Sequence, residues 1–210
     1  MNDVKYLFFD IGYTLVNEER VWEQRCKEQA LTNEAKALGL TETDIYNEIV
    51  KASLACKPQY RTVVKKYNFT MVAPYRSNLE QPYEGAEKVL EYLSGKYKLG
   101  IIANQGEGLS ERLETFGLKK YFSLIISSWD YQVMKPDVRI FEIALEKAQC
   151  EPTEAVMIGD RLDNDICPAK SIGMKTIWVK QGFGGMQKIS EEKYCPDEQV
   201  DCLLDLMKIL

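Results

Sequence analysis

Residues 5–15 read K-Y-L-F-F-D-I-G-Y-T-L, and this stretch determines how the rest of the chain is interpreted. Its apolar run from Tyr6 to Phe9 is too short for a helix and is rich in residues that favour strands. The run predicts a strand buried on both faces, as in a parallel sheet. The carboxylate of Asp10 follows where the strand should end, which is where open α/β sheets bind their ligands. Asp10 therefore belongs either to a ligand site or to a cap of the turn that follows.

The absence of histidine from the 210 residues removes several kinds of catalysis at once. Ser-His-Asp and Cys-His nucleophiles need an imidazole, and so do imidazole–zinc sites. Any catalysis therefore depends on carboxylates, lysine, amides and, if one binds, a metal. The six cysteines show no paired CxxC spacing, which predicts the reduced thiols of a cytosolic protein.

Length and charge favour a soluble globular protein. A chain of 210 residues, 45% hydrophobic and 28% charged, fits one domain or one domain with an insertion. The net charge of -5 argues against general binding of nucleic acid, which needs a basic face. No apolar run approaches the length of a membrane span, and the N-terminus lacks the basic start of a signal peptide. We therefore expect a cytoplasmic protein that binds neither nucleic acid nor membrane.

The segment 16–81 is helical in composition and shows no strand alternation. Residues 18–38 predict one helix that stops at Gly39, and Thr41 predicts the N-cap of a second helix running to about residue 56. A third helix is expected at 59–67. The segment is therefore an all-helical insert after the first strand. Two interpretations stay open, a cover for one side of the core and a lid over Asp10.

From residue 82 onward, helices and strands alternate. The patterns predict strands at 99–103, 122–126, 155–158 and 176–179, and helices at 84–93, 108–116, 137–148, 164–171 and 201–209. Such alternation indicates βαβ units with right-handed crossovers. The predicted fold is a doubly wound, three-layer, Rossmann-like parallel sheet, with the core formed by 1–15 and 82–210 and the helical insert by 16–81.

Polar residues stand at the predicted strand ends. Asp10 follows the first strand, Asn104 the next, and Asp160 a later one, while Asp165 comes five residues on and Lys135 begins the long helix. In a parallel sheet these positions share one edge, so three carboxylates and one lysine should converge. Clustered carboxylates repel unless a cation joins them, and Mg²⁺ suits a few carboxylates with water. The compact charge of the lysine suits a phosphate or the nucleophile carboxylate.

Four segments carry a resemblance that spans essentially the whole chain. They are F-F-D-I-G-Y-T-L at 8–15, I-I-A-N-Q at 101–105, V-M-K-P-D at 133–137 and I-G-D-R-L-D-N-D-I at 158–166. In this order and spacing they resemble the four motifs of the haloacid dehalogenase-like hydrolase superfamily. The helical insert resembles the C1-type cap of its subfamily I.

The resemblance implies a phosphoryl-transfer site that uses Mg²⁺. Asp10 would be the nucleophile that takes up a phosphoryl group as an aspartyl-phosphate. Its other oxygen, the backbone carbonyl of Gly12 and the carboxylate of Asp160 would hold Mg²⁺, with Asp165 in or near that shell. Lys135 would neutralise the phosphoryl group during catalysis.

The resemblance also implies how the phosphate is bound. Backbone N–H groups around Ile11, Gly12 and Asn104 would surround it, together with Lys135. The implied substrate is a small phosphate ester, and the sequence does not indicate which one.

Two positions depart from the family pattern. Gly12 stands where the phosphatases usually carry a second Asp, their general acid and base, whose loss typically costs ~10²–10⁴ in rate. Ala103 stands where a Ser or Thr usually binds a phosphate oxygen. Tyr13, Glu18 and Glu19 are nearby candidates for a substitute proton carrier, although their pattern favours solvated turn and helix-start residues.

Three functions therefore remain open. The leading hypothesis is a Mg²⁺-dependent phosphatase of small metabolites, slowed by Gly12 and Ala103. A phosphate- or metabolite-binding protein that kept the metal site but lost turnover is the alternative that the same two residues favour. Carbon–halogen hydrolysis is the third, and the pair Asp160 and Asp165 speaks against it, because dehalogenases resembling this fold need no metal.

Overall fold

In the computed structural model, which describes residues 3–210, six strands form one parallel sheet and two short strands pair separately. The strands are, in chain order, β1 (Tyr6–Phe9), β2 (Val16–Asn17), β3 (Gln81–Pro82), β4 (Lys98–Ala103), β5 (Phe122–Ser127), β6 (Ala155–Gly159), β7 (Lys175–Val179) and β8 (Glu198–Val200). The order across the main sheet is β5-β4-β1-β6-β7-β8, and every neighbouring pair in it is parallel. β2 and β3 form an antiparallel pair. The predicted parallel α/β fold is confirmed.

Helices cover both faces of the sheet and fill the segment between β2 and β3. They are α1 (Glu19–Ala30), α2 (Asn33–Ala37), α3 (Glu42–Leu54), α4 (Gln59–Tyr67), α5 (Ala86–Ser94), α6 (Leu109–Thr115), α7 (Ser128–Tyr131), α8 (Arg139–Ala148), α9 (Cys167–Ser171) and α10 (Leu206–Ile209). The predicted third helix has the observed bounds of α4. The second is also confirmed, with Thr41 as N-cap in a complete capping box.

The single helix predicted over 18–38 is wrong. α1 ends at Ala30, and α2 begins only at Asn33. The break is stabilised by Thr32, whose hydroxyl accepts a hydrogen bond from the Ala35 N–H and donates one to the Gln29 carbonyl. Threonine satisfies a helix N-terminus better than it satisfies a helix interior, so a second start is favoured there.

Two more predicted elements differ from the observed ones, and three short strands, β2, β3 and β8, were not predicted. Residues 164–171 do not form one helix, because a π-helical turn at Leu162–Ile166 precedes α9. The N–H groups of Asp165 and Ile166 both donate to the Arg161 carbonyl, at 2.9 and 3.2 Å, which widens this turn. In the predicted helix 201–209 only α10 is α-helical, after a 3-10 turn at Leu203–Asp205. β8 is short and polar, so it carries no apolar run.

Two buried clusters enclose the sheet and explain why β1 is apolar throughout. Leu7 and Phe9 pack on one face, in a cluster that includes Leu90 of α5. Phe8 packs on the other face, in a cluster that includes Phe141 of α8. Because successive strand residues point to opposite faces, a strand covered on both sides buries every side chain.

The helices α1–α4 surround a third cluster, whose members also include one residue from the loop after β7. That residue is Phe183, which is 1% exposed. Next to it, the Ser53 hydroxyl donates to the Phe183 carbonyl at 3.0 Å, and Gln187 donates to the Ser53 carbonyl at 3.0 Å. The loop after β7 is therefore packed into the helical segment, which is the part of the chain between β2 and β3.

None of the helices within 3–210 is long and apolar enough to cross a bilayer.

Candidate active site

Three carboxylates meet at the carboxyl-end edge of the main sheet. Asp10 follows β1, Asp160 follows β6, and Asp165 lies in the π-helical turn after it. One oxygen of each lies within 4.8 Å of the others. Parallel strands bring their carboxyl ends together, so side chains 150 residues apart in sequence become neighbours through the register of β1 with β6.

Lys135 lies at the centre of this group. Its Nζ donates to Asp10 Oδ1 at 2.6 Å, to Asp165 Oδ1 at 2.6 Å and to the Ile102 carbonyl at 2.9 Å. The residue is 3% exposed. Burial alone would lower the pKa of Lys135, but the charges of Asp10 and Asp165 more than offset this, and the pKa lies above its ordinary value. The lysine is therefore charged and links two carboxylates.

The backbone of Lys135 is positioned by Asn104. The Asn104 amide donates to the Lys135 carbonyl at 2.8 Å, and its oxygen accepts from the Lys135 N–H at 2.7 Å. Both polar atoms of the Asn104 side chain are thus used in hydrogen bonds to the Lys135 backbone. Their effect is to hold the lysine beside the end of β1.

Asp165 is held on both of its oxygens. In addition to Lys135 on Oδ1, the Arg161 N–H donates to Oδ2 at 3.0 Å. The carboxylate packs against Gly159, where a Cβ would approach Asp165 Cγ to 2.5 Å, so only glycine fits this position. Burial raises the pKa of the Asp165 carboxyl, and Lys135 partly offsets the rise. With both oxygens in use, Asp165 orients the lysine.

Asp160 has a different environment. Its backbone carbonyl accepts from Trp178 Nε1 at 2.6 Å, whereas no hydrogen bond reaches its carboxylate from residues 3–210. The residue is 3% exposed. Burial, followed by the charges of Asp165 and Asp10, raises the pKa of Asp160 well above its ordinary value. A buried carboxylate without a donor, beside two others, is the chemistry that a hard divalent cation satisfies.

The turn after Asp10 presents unused N–H groups. The Ile11 carbonyl accepts from the N–H groups of Thr14, Leu15 and Val16, which curls the chain tightly. The N–H groups of Ile11, Gly12 and Asn104 donate to no acceptor in the described part of the chain. Free N–H groups in a tight turn can receive the oxygens of an anion.

Glu18 and Tyr13 are not the solvated residues that the sequence favours. Tyr13 is 7% exposed and packs edge-on against Phe183, at 5.3 Å between ring centroids. Glu18, the N-cap of α1, is also 7% exposed, and its Oε2 accepts from Trp22 Nε1 at 3.0 Å. Burial raises the pKa of the Glu18 carboxyl to about 7. Glu19 is exposed, as expected.

A cavity of about 490 Å³ lies between the sheet edge and the helical segment. Its floor carries Asp10, Lys135 and Asp160, and its opposite wall includes Trp22 and Tyr60. Both aromatic residues are largely buried, and both also face the cavity. The volume suits a small metabolite.

Arg161 is a site residue that pattern analysis missed. Its side chain pairs with Asp163 and reaches the helical segment, where it donates to Gln59 Oε1 and to the Lys57 carbonyl. It lies between Asp160 and Asp165 in the fourth motif, and that position was the only signal in the sequence. Ala103 is fully buried at the end of β4 and offers the cavity no hydroxyl.

Comparison with known proteins places the chain among related sequences and structures. The family model described as haloacid dehalogenase-like hydrolase matches residues 7–179. A glyceraldehyde 3-phosphate phosphatase of Pyrococcus abyssi is 30% identical over 230 residues, covering 99% of this chain and 94% of its own length. The HAD phosphatase from Thermococcus onnurineus matches with a TM-score of 0.68 and 26% identity, over 98% of this chain and 97% of its own. The putative HAD-hydrolase YfnB from Bacillus subtilis, bound to magnesium, has a TM-score of 0.69 at 24% identity over 99% and 98% of the two chains, and this likeness concerns the fold alone.

Proposed function

The chain belongs to the haloacid dehalogenase-like hydrolases, and we propose that it is a magnesium-dependent phosphatase of small phosphorylated metabolites. The observation that carries the proposal is the position of Lys135, which bridges Asp10 and Asp165 at the floor of the cavity. A buried cation beside a carboxylate nucleophile is what the transfer of a charged phosphoryl group requires.

Asp10 is the proposed nucleophile. One of its oxygens attacks phosphorus, the bond to the leaving oxygen breaks, and an aspartyl-phosphate forms that water then hydrolyses. Lys135 holds Asp10 Oδ1 at 2.6 Å and offsets the charge that the phosphoryl group adds. The free N–H groups of Ile11, Gly12 and Asn104 are the proposed donors to the phosphoryl oxygens.

Mg²⁺ is the proposed cofactor, and the donor set fits it. Asp10, the Gly12 carbonyl and Asp160 would hold the ion, with Asp165 at the edge of its shell. The buried Asp160 carboxylate, which no donor from residues 3–210 reaches, supports this choice. When bound, the ion would offset the negative charge of the carboxylates and of the phosphate.

The proposal includes a division of the chain into a catalytic core and a cap. Residues 1–15 and 82–210 would form the catalytic core, and 16–81 the cap that closes the cavity. The separate buried cluster of α1–α4 and the paired strands β2 and β3, where the chain enters and leaves this segment, support the division. The Pyrococcus abyssi relative, a glyceraldehyde 3-phosphate phosphatase, favours a small phosphate ester as substrate. The net charge of -5 argues against a nucleic-acid substrate. The proposed substrates are therefore free metabolites in the cytoplasm.

A second candidate is a metabolite-binding protein without turnover. Ala103 favours it, because a fully buried methyl group stands where a hydroxyl would contact phosphate. Gly12 favours it as well, because residue 12 has no side chain to carry a proton.

One set of assays separates these candidates from a dehalogenase. We expect phosphate release from p-nitrophenyl phosphate and from glyceraldehyde 3-phosphate in Mg²⁺, and none in EDTA. A protein that releases no phosphate but is stabilised in thermal melts by inorganic phosphate would be the binding protein. Chloride release from 2-chloropropionate in EDTA would replace the phosphatase proposal with carbon–halogen hydrolysis.

A further inference from the structure

Gly12 has a neighbour that explains why residue 12 lacks a side chain. A Cβ built on Gly12 would lie 2.8 Å from Glu18 Cδ and closer still to Glu18 Oε1. Gly12 is not among the glycines with positive φ, so the backbone itself does not demand glycine there. The carboxyl group of Glu18 therefore occupies the space into which a side chain at position 12 would project.

Glu18 is held firmly in that space. It is buried at the start of α1, and Trp22 Nε1, one turn later on the same helix, donates to Oε2 at 3.0 Å. The Tyr75 hydroxyl, which donates to Glu80 Oε1 at 2.8 Å, also lies beside the Glu18 carboxyl. Oε1 is the oxygen nearest to residue 12. Glu18 lines the same cavity as Asp10. Trp22 thus anchors one carboxyl oxygen, and the other faces residue 12.

The other carboxylates of the cavity floor are each assigned to a cation. Asp10 and Asp165 are bound to Lys135, and Asp160 carries the proposed metal. Glu18 has no lysine or arginine partner among the described residues. A buried carboxyl that is neither paired nor metal-bound, next to a nucleophile, is poorly explained by stability, because burying it is unfavourable.

We propose that Glu18 is the general acid and base of this hydrolase, reaching from position 18 the place that a carboxyl at position 12 would fill. The proposal rests on the proposed phosphatase function. As Asp10 attacks, the bond from phosphorus to the leaving oxygen breaks, and that oxygen takes the proton of the Glu18 carboxyl to leave as an alcohol. Water then attacks the aspartyl-phosphate and gives a proton to the Glu18 carboxylate. The bond from phosphorus to Asp10 breaks, which releases inorganic phosphate and restores both carboxyl groups.

The first test replaces Glu18 with its isostere. Glu18→Gln keeps the size and the oxygen that accepts from Trp22, but it cannot carry the proton. With glycerol 3-phosphate, a poor leaving group, we expect kcat to fall ~10²–10⁴-fold. With p-nitrophenyl phosphate we expect a burst of about one nitrophenol per enzyme and then slow turnover, because only the second step needs the base. Glu19→Gln, at the exposed neighbour, is the matched control and should behave as wild type.

The second test moves the carboxyl. Glu18→Ala vacates the space, and Gly12→Asp in that background supplies a carboxyl from the other position. We expect the double variant to be at least tenfold faster than Glu18→Ala alone. A folded double variant no faster than Glu18→Ala would overturn the proposal, since the lost rate would then come from something other than a missing proton carrier.

The two proposals fail in different ways. A wild type without activity on any phosphate ester overturns the phosphatase function. An active wild type whose Glu18→Gln variant keeps kcat within threefold on glycerol 3-phosphate, and shows no burst with p-nitrophenyl phosphate, overturns the role of Glu18 alone.

Discussion

The ring of Phe183 lies 5.6 Å from the ring of Trp22, with an angle of 82° between their planes. Trp22 belongs to α1, whereas Phe183 comes from the loop that follows β7 of the main sheet. The helical segment is therefore connected to the rest of the chain through the β2–β3 pair, where it begins and ends, and also through this aromatic contact. The hydrogen bonds of Ser53 with the same loop and of Arg161 with Gln59 add to this hold.

Phe183→Ala should loosen the helical segment selectively. The variant empties a fully packed position and should destabilise the protein by roughly 3–5 kcal/mol, the usual cost of a buried Phe→Ala. Hydrogen exchange followed by mass spectrometry should be faster in 19–67 than in the sheet. Phe141→Ala, at an equally buried position on α8, is the control and should show no preference for that segment. Equal acceleration in both variants would show that Phe183 does not anchor the segment.

Mg²⁺ should stabilise the folded protein, because a ligand of the native state adds RT ln(1 + [L]/Kd) to the free energy of unfolding. That is about 2.7 kcal/mol at a hundredfold excess over Kd. Asp160→Asn should remove most of the gain. In EDTA the same variant should melt above wild type, because it removes a buried charge whose pKa is raised by burial. Asp201→Asn, at a side chain 82% exposed, should keep the full effect of Mg²⁺. A wild-type melting temperature that ignores Mg²⁺ would contradict the metal site.

Lys135→Met should destabilise the protein most strongly when no metal is present. The variant leaves Asp10 and Asp165 without the cation that both contact, and removal of one partner from a buried ion pair costs roughly 3–5 kcal/mol. Urea unfolding in EDTA should show this loss, and Mg²⁺ should reduce it by supplying another cation. Lys120→Met, at an exposed pair with Glu87, is the control and should change little. A loss of stability of the same size with and without Mg²⁺ would contradict the idea that the ion can replace the charge of the lysine.

The six thiols should differ in their reaction with iodoacetamide. Cys26 is buried in the helical segment, and burial raises the pKa of its thiol to about 12. Since the thiolate is the reactive form, Cys26 should stay unmodified at pH 8 until the protein unfolds. Cys195 is exposed and should react first. Peptide mapping over time measures both rates, and early labelling of Cys26 would show that the segment opens in the native state.

Much of the edge that carries the site was predictable. Asp10, Asn104 and Asp160 each follow an apolar run, and parallel strands with short connections place such positions side by side. Lys135 was predictable from its place just before the helical pattern of 137–148, although α8 begins only at Arg139. These inferences needed only the period of the elements and the direction of the strands.

The surroundings of that edge were not predictable, because they depend on contacts between segments that are far apart in the sequence, and no repeating pattern of residues indicates such contacts. Glu18 follows a two-residue strand and looks like an ordinary helix start, and its burial comes from the packing of α1 over the turn after β1. Phe183 stands between glycines in what reads as a flexible loop. Only the folded positions of α1 and β7 show that both residues are enclosed.

The place of β1 in the middle of the sheet has a consequence for synthesis on the ribosome. Tyr6 pairs with Lys98 on one side and with Ala155 on the other, so β1 waits for partners that emerge far later. Until β6 has emerged, β1 keeps an unpaired apolar edge, the kind of surface that aggregates and that chaperones cover. Asp10 thus leaves the ribosome long before Asp165, the carboxylate with which it shares Lys135.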